Sequence, residues 1–199
     1  MMVTVPKLLQ TLYPSLIWHG EEKALYLTFD DGPHPVITPK VLNLLDQYGA
    51  KATFFCVGDN VRKYPEIYRE ILQRGHATGN HTYNHLNGWK TETETYVANV
   101  KKAAGLIHSN LMRPPYGKIK RSQIKQLKQD YKLVMWSVLT YDFSSKITPA
   151  QCYRNALKGL KNGSILVFHD SDKAAKNMLY ALPKFLEKGS EEGLGFSNL

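Results

Sequence analysis

Two carboxylates, Asp30 and Asp31, stand side by side at the end of the apolar run Leu25-Tyr26-Leu27-Thr28-Phe29, and Gly32-Pro33 turns the chain directly after them. Adjacent residues of a strand point to opposite sides, so one carboxylate can ligate an ion while the other reaches a water held by it. His81 and His85, four apart in Gly79-Asn80-His81-Thr82-Tyr83-Asn84-His85, supply two imidazoles. A carboxylate and two imidazoles converging on one divalent ion leave a fourth position open, as hydrolytic chemistry requires. Plain structural readings exist for each residue taken singly. Asp30 could cap the turn at Gly32-Pro33 through backbone N–H groups, and Arg113, before Pro114-Pro115, could lie at the surface. His19, His34, His76 and His108 are read as structural, His34 being the one close to Asp31.

Those residues need a scaffold, and the chain alternates short apolar runs with segments of helical period from end to end, the pattern of successive α/β units. Strands are expected at Ala24–Phe29, Ala52–Val57, His76–His81, Leu111–Arg113, Lys132–Val138 and Ile165–His169, with Gly195–Leu199 as a last short one. Thr38 as N-cap and Pro39 at the first helical position mark a helix that Gly49 stops. Further helices are expected up to Gly75, through Val97, Val100, Ala104 and Ile107, over Pro149–Leu160, and over Ala174–Lys188. On this map Asp30, Asp31, His81, Arg113, Asp142 and His169 all fall at or just beyond the carboxyl ends of different strands. A parallel barrel gathers such residues on its active-site face. With six to seven strands, the fold is expected to be a distorted or incomplete (β/α) barrel, with an open doubly wound sheet as the competing architecture. Residues 1–23 read as an N-terminal extension and 24–199 as one catalytic unit.

At 199 residues the chain can bury a core without covalent staples. Cys56 lies in an apolar run and Cys152 in a distant amphipathic stretch, so two free thiols are expected. The formal net charge of +9 raises the question of nucleic acid. Its densest basic stretch, Lys118 to Lys132, fans its charges around the Ile124 and Leu127 stripe, which is the solvated face of an amphipathic helix. A nucleic-acid partner is not expected; attraction to anionic polymers or a peripheral membrane surface is the residual reading of the charge. No apolar stretch is long enough to span a bilayer. The amino terminus reads poorly as a signal peptide, since Gln10, Pro14 and Ser15 interrupt its apolar residues, and a cytoplasmic location is the expectation.

Taken in order, Thr28-Phe29-Asp30-Asp31-Gly32-Pro33, His81-x-x-x-His85, Arg113-Pro114-Pro115-Tyr116-Gly117, Trp136 to Phe143 and Leu166-Val167-Phe168-His169 resemble the motifs of polysaccharide deacetylases of the NodB homology type. The resemblance runs from about residue 24 to the carboxyl end. It implies a distorted (β/α) barrel that removes N-acetyl, or sometimes O-acetyl, groups from sugars with the help of a metal. By similarity Asp31, His81 and His85 hold that metal, usually zinc with cobalt or manganese as substitutes. Asp30 is then the general base toward water on the metal, and the backbone N–H of Tyr116 helps hold the oxyanion. By the same similarity His169 protonates the leaving amine, Arg113 orients Asp30 and Asp142 holds His169.

The fourth motif departs from the family's usual Asp-x-x-Asp-Trp. Leu139 replaces the first Asp and Phe143 the Trp, while Asp142 is kept. Leu139 reads as barrel core, and pocket shape is where the departure should be felt. Among the aromatics, Trp136 reads as core and Tyr116 and Trp89 as rim platforms for a pyranose face. Two other functions compete: a carbohydrate-binding protein of the same fold without turnover, and phosphoester hydrolysis, for which the motifs offer few carboxylates. The expected partner is an acetylated sugar or glycan, and no pattern in the chain indicates an oligomeric state.

Overall fold

The computed structural model describes residues 2–21 and 23–199. After a short helix α1 (Lys7–Leu12), strand β1 (Leu25–Asp30) leads to α2 (Ile37–Gln47), and β2 (Thr53–Cys56) to α3 (Gly58–Lys63) and α4 (Pro65–Gln73). Then come β3 (Ala77–Asn80), α5 (Thr93–Ala104), β4 (Leu111–Met112) and α6 (Arg121–Leu127). The last third holds β5 (Lys132–Leu133), β6 (Val138–Leu139), α7 (Pro149–Leu157), β7 (Ile165–His169), α8 (Asp172–Glu191) and β8 (Phe196–Ser197). Seven strands pair in the order β5-β4-β3-β2-β1-β7-β6, with β8 added beside the start of β1, and every named pair is parallel.

Connectivity decides between barrel and open sheet. β5 and β6 lie at opposite edges of the sheet, yet only residues 134–137 separate them along the chain. Laid flat, seven strands would put those edges about 29 Å apart at ~4.8 Å per gap. The connection can reach no more than about 18 Å. The sheet therefore curls into a distorted barrel. The amino-terminal segment lies along the seam: Ile17 bridges Val134 in parallel and Thr4 bridges Val138 antiparallel. Val5 N–H donates to Ser137 O at 3.0 Å and Met135 N–H to Ile17 O at 2.7 Å. Leu16 and Trp18 are buried there with Met112, Leu133 and Met135. The single strand expected over Lys132–Val138 is thus two, because its first half pairs with β4 and its second with β7.

Alternation along β1 sorts its side chains. Leu25, Leu27 and Phe29 pack outward in the same cluster as Val41, Leu42 and Leu45 of α2 and Met178, Leu182 and Phe185 of α8. Each such burial contributes about 1.5–3 kcal/mol. Tyr26 lies instead with Phe55, Leu111, Val134 and Ile165 in the barrel interior, and Thr28 and Asp30 share its side of the strand, which brings Asp30 to the carboxyl-end opening. Both cysteines are free and buried. Among the described residues no helix is long and apolar enough to cross a membrane.

Two helix starts differ from expectation. The stretch ending at Gly75 is two helices, because Tyr64, at φ −130° and ψ 57°, precedes Pro65 and leaves the helical region. Thr38 is not the cap of α2 but lies inside it. The residue ahead of α2 is Val36, which makes no side-chain cap; the N–H groups of Val36 and Ile37 donate instead to His34 Nδ1 at 3.2 Å each. Thr38 Oγ1 accepts His34 N–H at 2.7 Å and turns its own proton toward Asp170.

Candidate active site

Asp30 ends β1 almost fully buried, and its Oδ1 accepts Arg113 Nη1 at 2.8 Å. Arg113 follows β4 and is wholly buried in the barrel. A cation there costs several kcal/mol to desolvate unless its donors are met. Four of its five N–H donors have partners: besides Asp30, Nη1 reaches Thr28 Oγ1 at 2.7 Å, Nη2 donates to Met135 O at 2.7 Å and Nε to Val134 O at 3.4 Å, and the guanidinium lies 4.1 Å from the centre of the Phe55 ring. Thr28 sends its own proton to Leu166 O at 2.6 Å, which leaves its oxygen free to accept from Arg113. Neither the surface reading of Arg113 nor the turn-cap reading of Asp30 survives. The N–H of Gly32 donates instead to Asp170 Oδ1, at 3.0 Å.

Asp31 turns away from Asp30 at a left-handed φ of 82° and faces the two histidines. Its Oδ1 lies 3.1 Å from His85 Nε2 and 3.8 Å from His81 Nε2. His81 is buried after β3, and its Nδ1 sits 2.8 Å from the carbonyl of Arg113. A carbonyl only accepts, so Nδ1 carries the proton and Nε2 presents a lone pair. That second contact is the usual means of orienting a ligating imidazole. Three ligand atoms around a tetrahedral zinc stand roughly 3.3 Å apart for bond lengths near 2.0–2.1 Å. The observed spacings bracket this value, and Asp31, His81 and His85 form the one group of potential ligands found among the described residues. Burial opposes the Asp31 charge, but the hydrogen bond from His85 and the charges of His169 and His81 outweigh it and hold the carboxyl well below its ordinary range. Burial pushes His81 down to about 4, which keeps it neutral and able to ligate.

The loop carrying the histidines is not helical. Thr82 and His85 adopt φ of 63° and 55°. Asn80 Oδ1 receives Thr82 N–H, and Asn99 Oδ1 on α5 receives the N–H groups of Tyr83 and Asn84. On the other side of the opening, His169 ends β7 beside Asp30. Asp142 grips it twice: Oδ1 lies 2.8 Å from His169 Nδ1, and Oδ2 accepts the His169 backbone N–H at 2.7 Å. Burial works against the charge of His169, but Asp142, and then Asp31 and Asp30, raise it to about 9. Tyr116, at φ 61°, presents a backbone N–H with no acceptor among the described residues, and its ring stands 4.6 Å from that of His85.

Asp30, Asp31, His81, His85, Tyr116 and His169 line one cavity of about 540 Å³, within the range of small-ligand sites. A model of the polysaccharide deacetylase family matches residues 19–134. The chain belongs to the polysaccharide deacetylase family of hydrolases. A peptidoglycan-N-acetylglucosamine deacetylase of Bacillus cereus is 36% identical over 185 residues, covering 89% of this chain and 86% of its own. A second Bacillus cereus protein of that name is 34% identical, and the chain spans only 66% of its length. A chitooligosaccharide deacetylase of Azorhizobium caulinodans is 33% identical over 77% of this chain and 78% of its own. The Bc1960 peptidoglycan N-acetylglucosamine deacetylase, solved with 4-naphthalen-1-yl-N-oxidanyl-benzamide, superposes with a TM-score of 0.89 at 32% identity over 98% of this chain and 95% of that one.

In this polysaccharide deacetylase the wall opposite the histidine pair includes the two positions at which the fourth motif departs, Leu139 and Phe143. Leu139 is half-buried and lines the cavity rather than the core. Phe143 is 40% exposed and sets its ring 4.9 Å from His169, edge to face. Trp136, expected in the core, is half-buried, packs against two core clusters and also lines the cavity, whereas Trp89 is exposed and does not line it. His34 lines the cavity as well, its ring held by the N–H groups of Val36 and Ile37 at the start of α2. Sequence reasoning passed over Thr28, Asn60, Asp170 and Asn177, which touch the site's residues or their backbone. Asp170, next to His169, was open to view; the others carry no local signal.

Proposed function

We propose that this chain is a divalent-metal-dependent deacetylase that hydrolyses the N-acetyl group of an amino sugar within a glycan and releases acetate. The observation that carries the reading is the convergence on one cavity of an N,N,O triad, a carboxylate fixed by a buried arginine, and a histidine fixed by a buried carboxylate. The donor set of two imidazoles and one carboxylate suits zinc, with cobalt and manganese as alternatives. When bound, the ion supplies Lewis acidity, which polarises an acetyl carbonyl and acidifies adjacent water. Asp30 takes the proton from the attacking water through the oxygen that Arg113 does not occupy. The free N–H of Tyr116 is a donor for the carbonyl oxygen as it gains negative charge. His169, held by Asp142 through Nδ1, offers Nε2–H to the departing nitrogen, which leaves poorly unless protonated.

The relatives named above support an N-acetylglucosamine-containing glycan as substrate. Tyr116, Trp136, Leu139 and Phe143 give the cavity apolar walls suited to the C–H face of a pyranose. The residues of α6 do not line it, and the charged side chains that α8 brings to its wall are Asp172 and Lys173; stacking and chelation are the main contacts read for the sugar. The test is acetate release from chitooligosaccharides and peptidoglycan fragments in chelator and after zinc is restored. Zinc-dependent release supports the reading. Hydrolysis of acetyl esters or phosphoesters with no release from any acetamido sugar overturns it.

A further inference from the structure

The peptide unit joining Asp31 to Gly32 is held from both ends by side chains of distant elements. Its carbonyl, on Asp31, accepts Asn60 Nδ2 of α3 at 2.7 Å. Its N–H, on Gly32, donates to Asp170 Oδ1 at 3.0 Å. The opposite carboxylate oxygen of Asp170 accepts the hydroxyl of Thr38, which is itself fixed as the acceptor of His34 N–H. Gly32 is fitted to this arrangement, since a Cβ there would fall 2.1 Å from Asp170 Oδ2. Asp170 is fully buried, so its carboxylate has no alternative partner in solvent. The peptide so gripped follows Asp31 at φ 82°, a left-handed conformation that is costly for a non-glycine residue and that surrounding contacts help to hold. That conformation turns the Asp31 carboxylate away from Asp30 and toward His81 and His85.

We infer that Asn60 and Asp170 are positioning residues for the metal ligand Asp31: they act on its backbone, not on its carboxylate, and Thr38 locks Asp170 in place. The inference rests on the reading of Asp31, His81 and His85 as ligands. Neither Asn60 nor Asp170 belongs to the triad, and neither touches the ligating oxygen. Their effect is to fix the conformation from which that oxygen meets the two imidazoles.

The test measures zinc affinity of the full chain by competition with a chromophoric chelator, and the visible absorption spectrum of the cobalt form, for wild type and for Asn60→Ala, Asp170→Ala, Asp170→Asn and Thr38→Val. Partners outside the ligand set typically change affinity by about 10–100-fold. Asn60→Ala and Asp170→Ala should each weaken zinc on that scale and shift the cobalt spectrum. Thr38→Val should weaken it in the same direction without changing charge, and the pair of alanine variants should be non-additive because both act on one peptide. Asp170→Asn, whose amide oxygen can still accept from Gly32, should lose less than Asp170→Ala. Unchanged affinity and spectrum in Asn60→Ala and Thr38→Val overturn the inference, as does equal loss in Asp170→Asn and Asp170→Ala, which would make Asp170 a distant charge only. If Asp170→Ala does not fold, Asn60→Ala and Thr38→Val decide the matter. Failure of the ligand reading is distinct: wild type would then bind no zinc, or His81→Ala would bind it as well as wild type.

Discussion

Asp142→Asn separates two roles of one carboxylate. In the folded chain Asp142 accepts three N–H groups, from His169 Nδ1, the His169 backbone and Phe143, across its two oxygens. An asparagine has one acceptor oxygen and an NH2, so at least one of these donors loses its partner, at about 1–3 kcal/mol that does not vary with pH. The second role does vary. His169 is raised from 6.5 to about 9, a difference of roughly 3 kcal/mol between its two protonation states. Because the folded value is the higher one, this stabilisation is fully present below pH 6.5 and is lost as pH rises through 9. Asp142→Asn removes its main source. Urea unfolding of the metal-free chain should therefore show a gap of several kcal/mol between wild type and variant at about pH 6, closing by ~3 kcal/mol by about pH 10. The proton resonance of the His169 ring should titrate toward 6.5 in the variant. In the zinc form the alkaline limb of kcat/KM should move the same way, to lower pH. A gap constant with pH, together with an unchanged His169 titration, would refute the electrostatic coupling and leave Asp142 a backbone anchor.

Three further outcomes are expected. Asp30→Asn should keep the metal and lose turnover by on the order of 10²–10⁴-fold, since an amide cannot take the proton; near-wild-type acetate release would place the base elsewhere. His81→Ala should lose stoichiometric metal by elemental analysis, because the remaining pair, Asp31 and His85, leaves two ligand positions empty. Tyr116→Ala should raise KM for neutral N-acetylglucosamine oligomers and Trp89→Ala should not, as only the former lines the cavity; both rates should change little between low and high salt, whereas a steep fall would indicate attraction by surface charge.

The candidate site was legible because strand ends are. Period-two and apolar runs locate β1, β2, β3, β4 and β7 closely enough to place Asp30, His81, Arg113 and His169 on one face from the sequence alone. What sequence did not show depends on partners far away in the chain. Lys132–Val138 reads as one strand because nothing local reveals that its two halves serve opposite edges of a curled sheet. Thr38 has the composition of an N-cap, but its hydroxyl is committed to His34 and to Asp170, 132 residues on. Leu139 looks like core because its strand is apolar, and only closure of the barrel turns it toward the cavity; Trp136, in the connection between β5 and β6, packs on the core and reaches the cavity as well.

The hidden part of the site has a common physical character. Among the described residues, the non-glycine residues with left-handed backbones are Asp31, Thr82, His85, Tyr116 and Tyr141. Asp31 and His85 are two candidate ligands and Tyr116 carries the free N–H, while Thr82 follows His81 and Tyr141 precedes Asp142. Backbone of this kind costs on the order of 1–3 kcal/mol per residue and persists where surrounding contacts over-determine it. In this chain those contacts are amide and carboxylate side chains bonded to loop backbone: Asn60 to Asp31, Asp170 to Gly32, Asn80 to Thr82, Asn99 to Tyr83 and Asn84, and Asn177 to Asp142. The reactive groups can be read from residue type and spacing because their chemistry requires those types. The residues that hold them need only a donor or acceptor at the right place in space, a condition that many sequences satisfy and that no local pattern records.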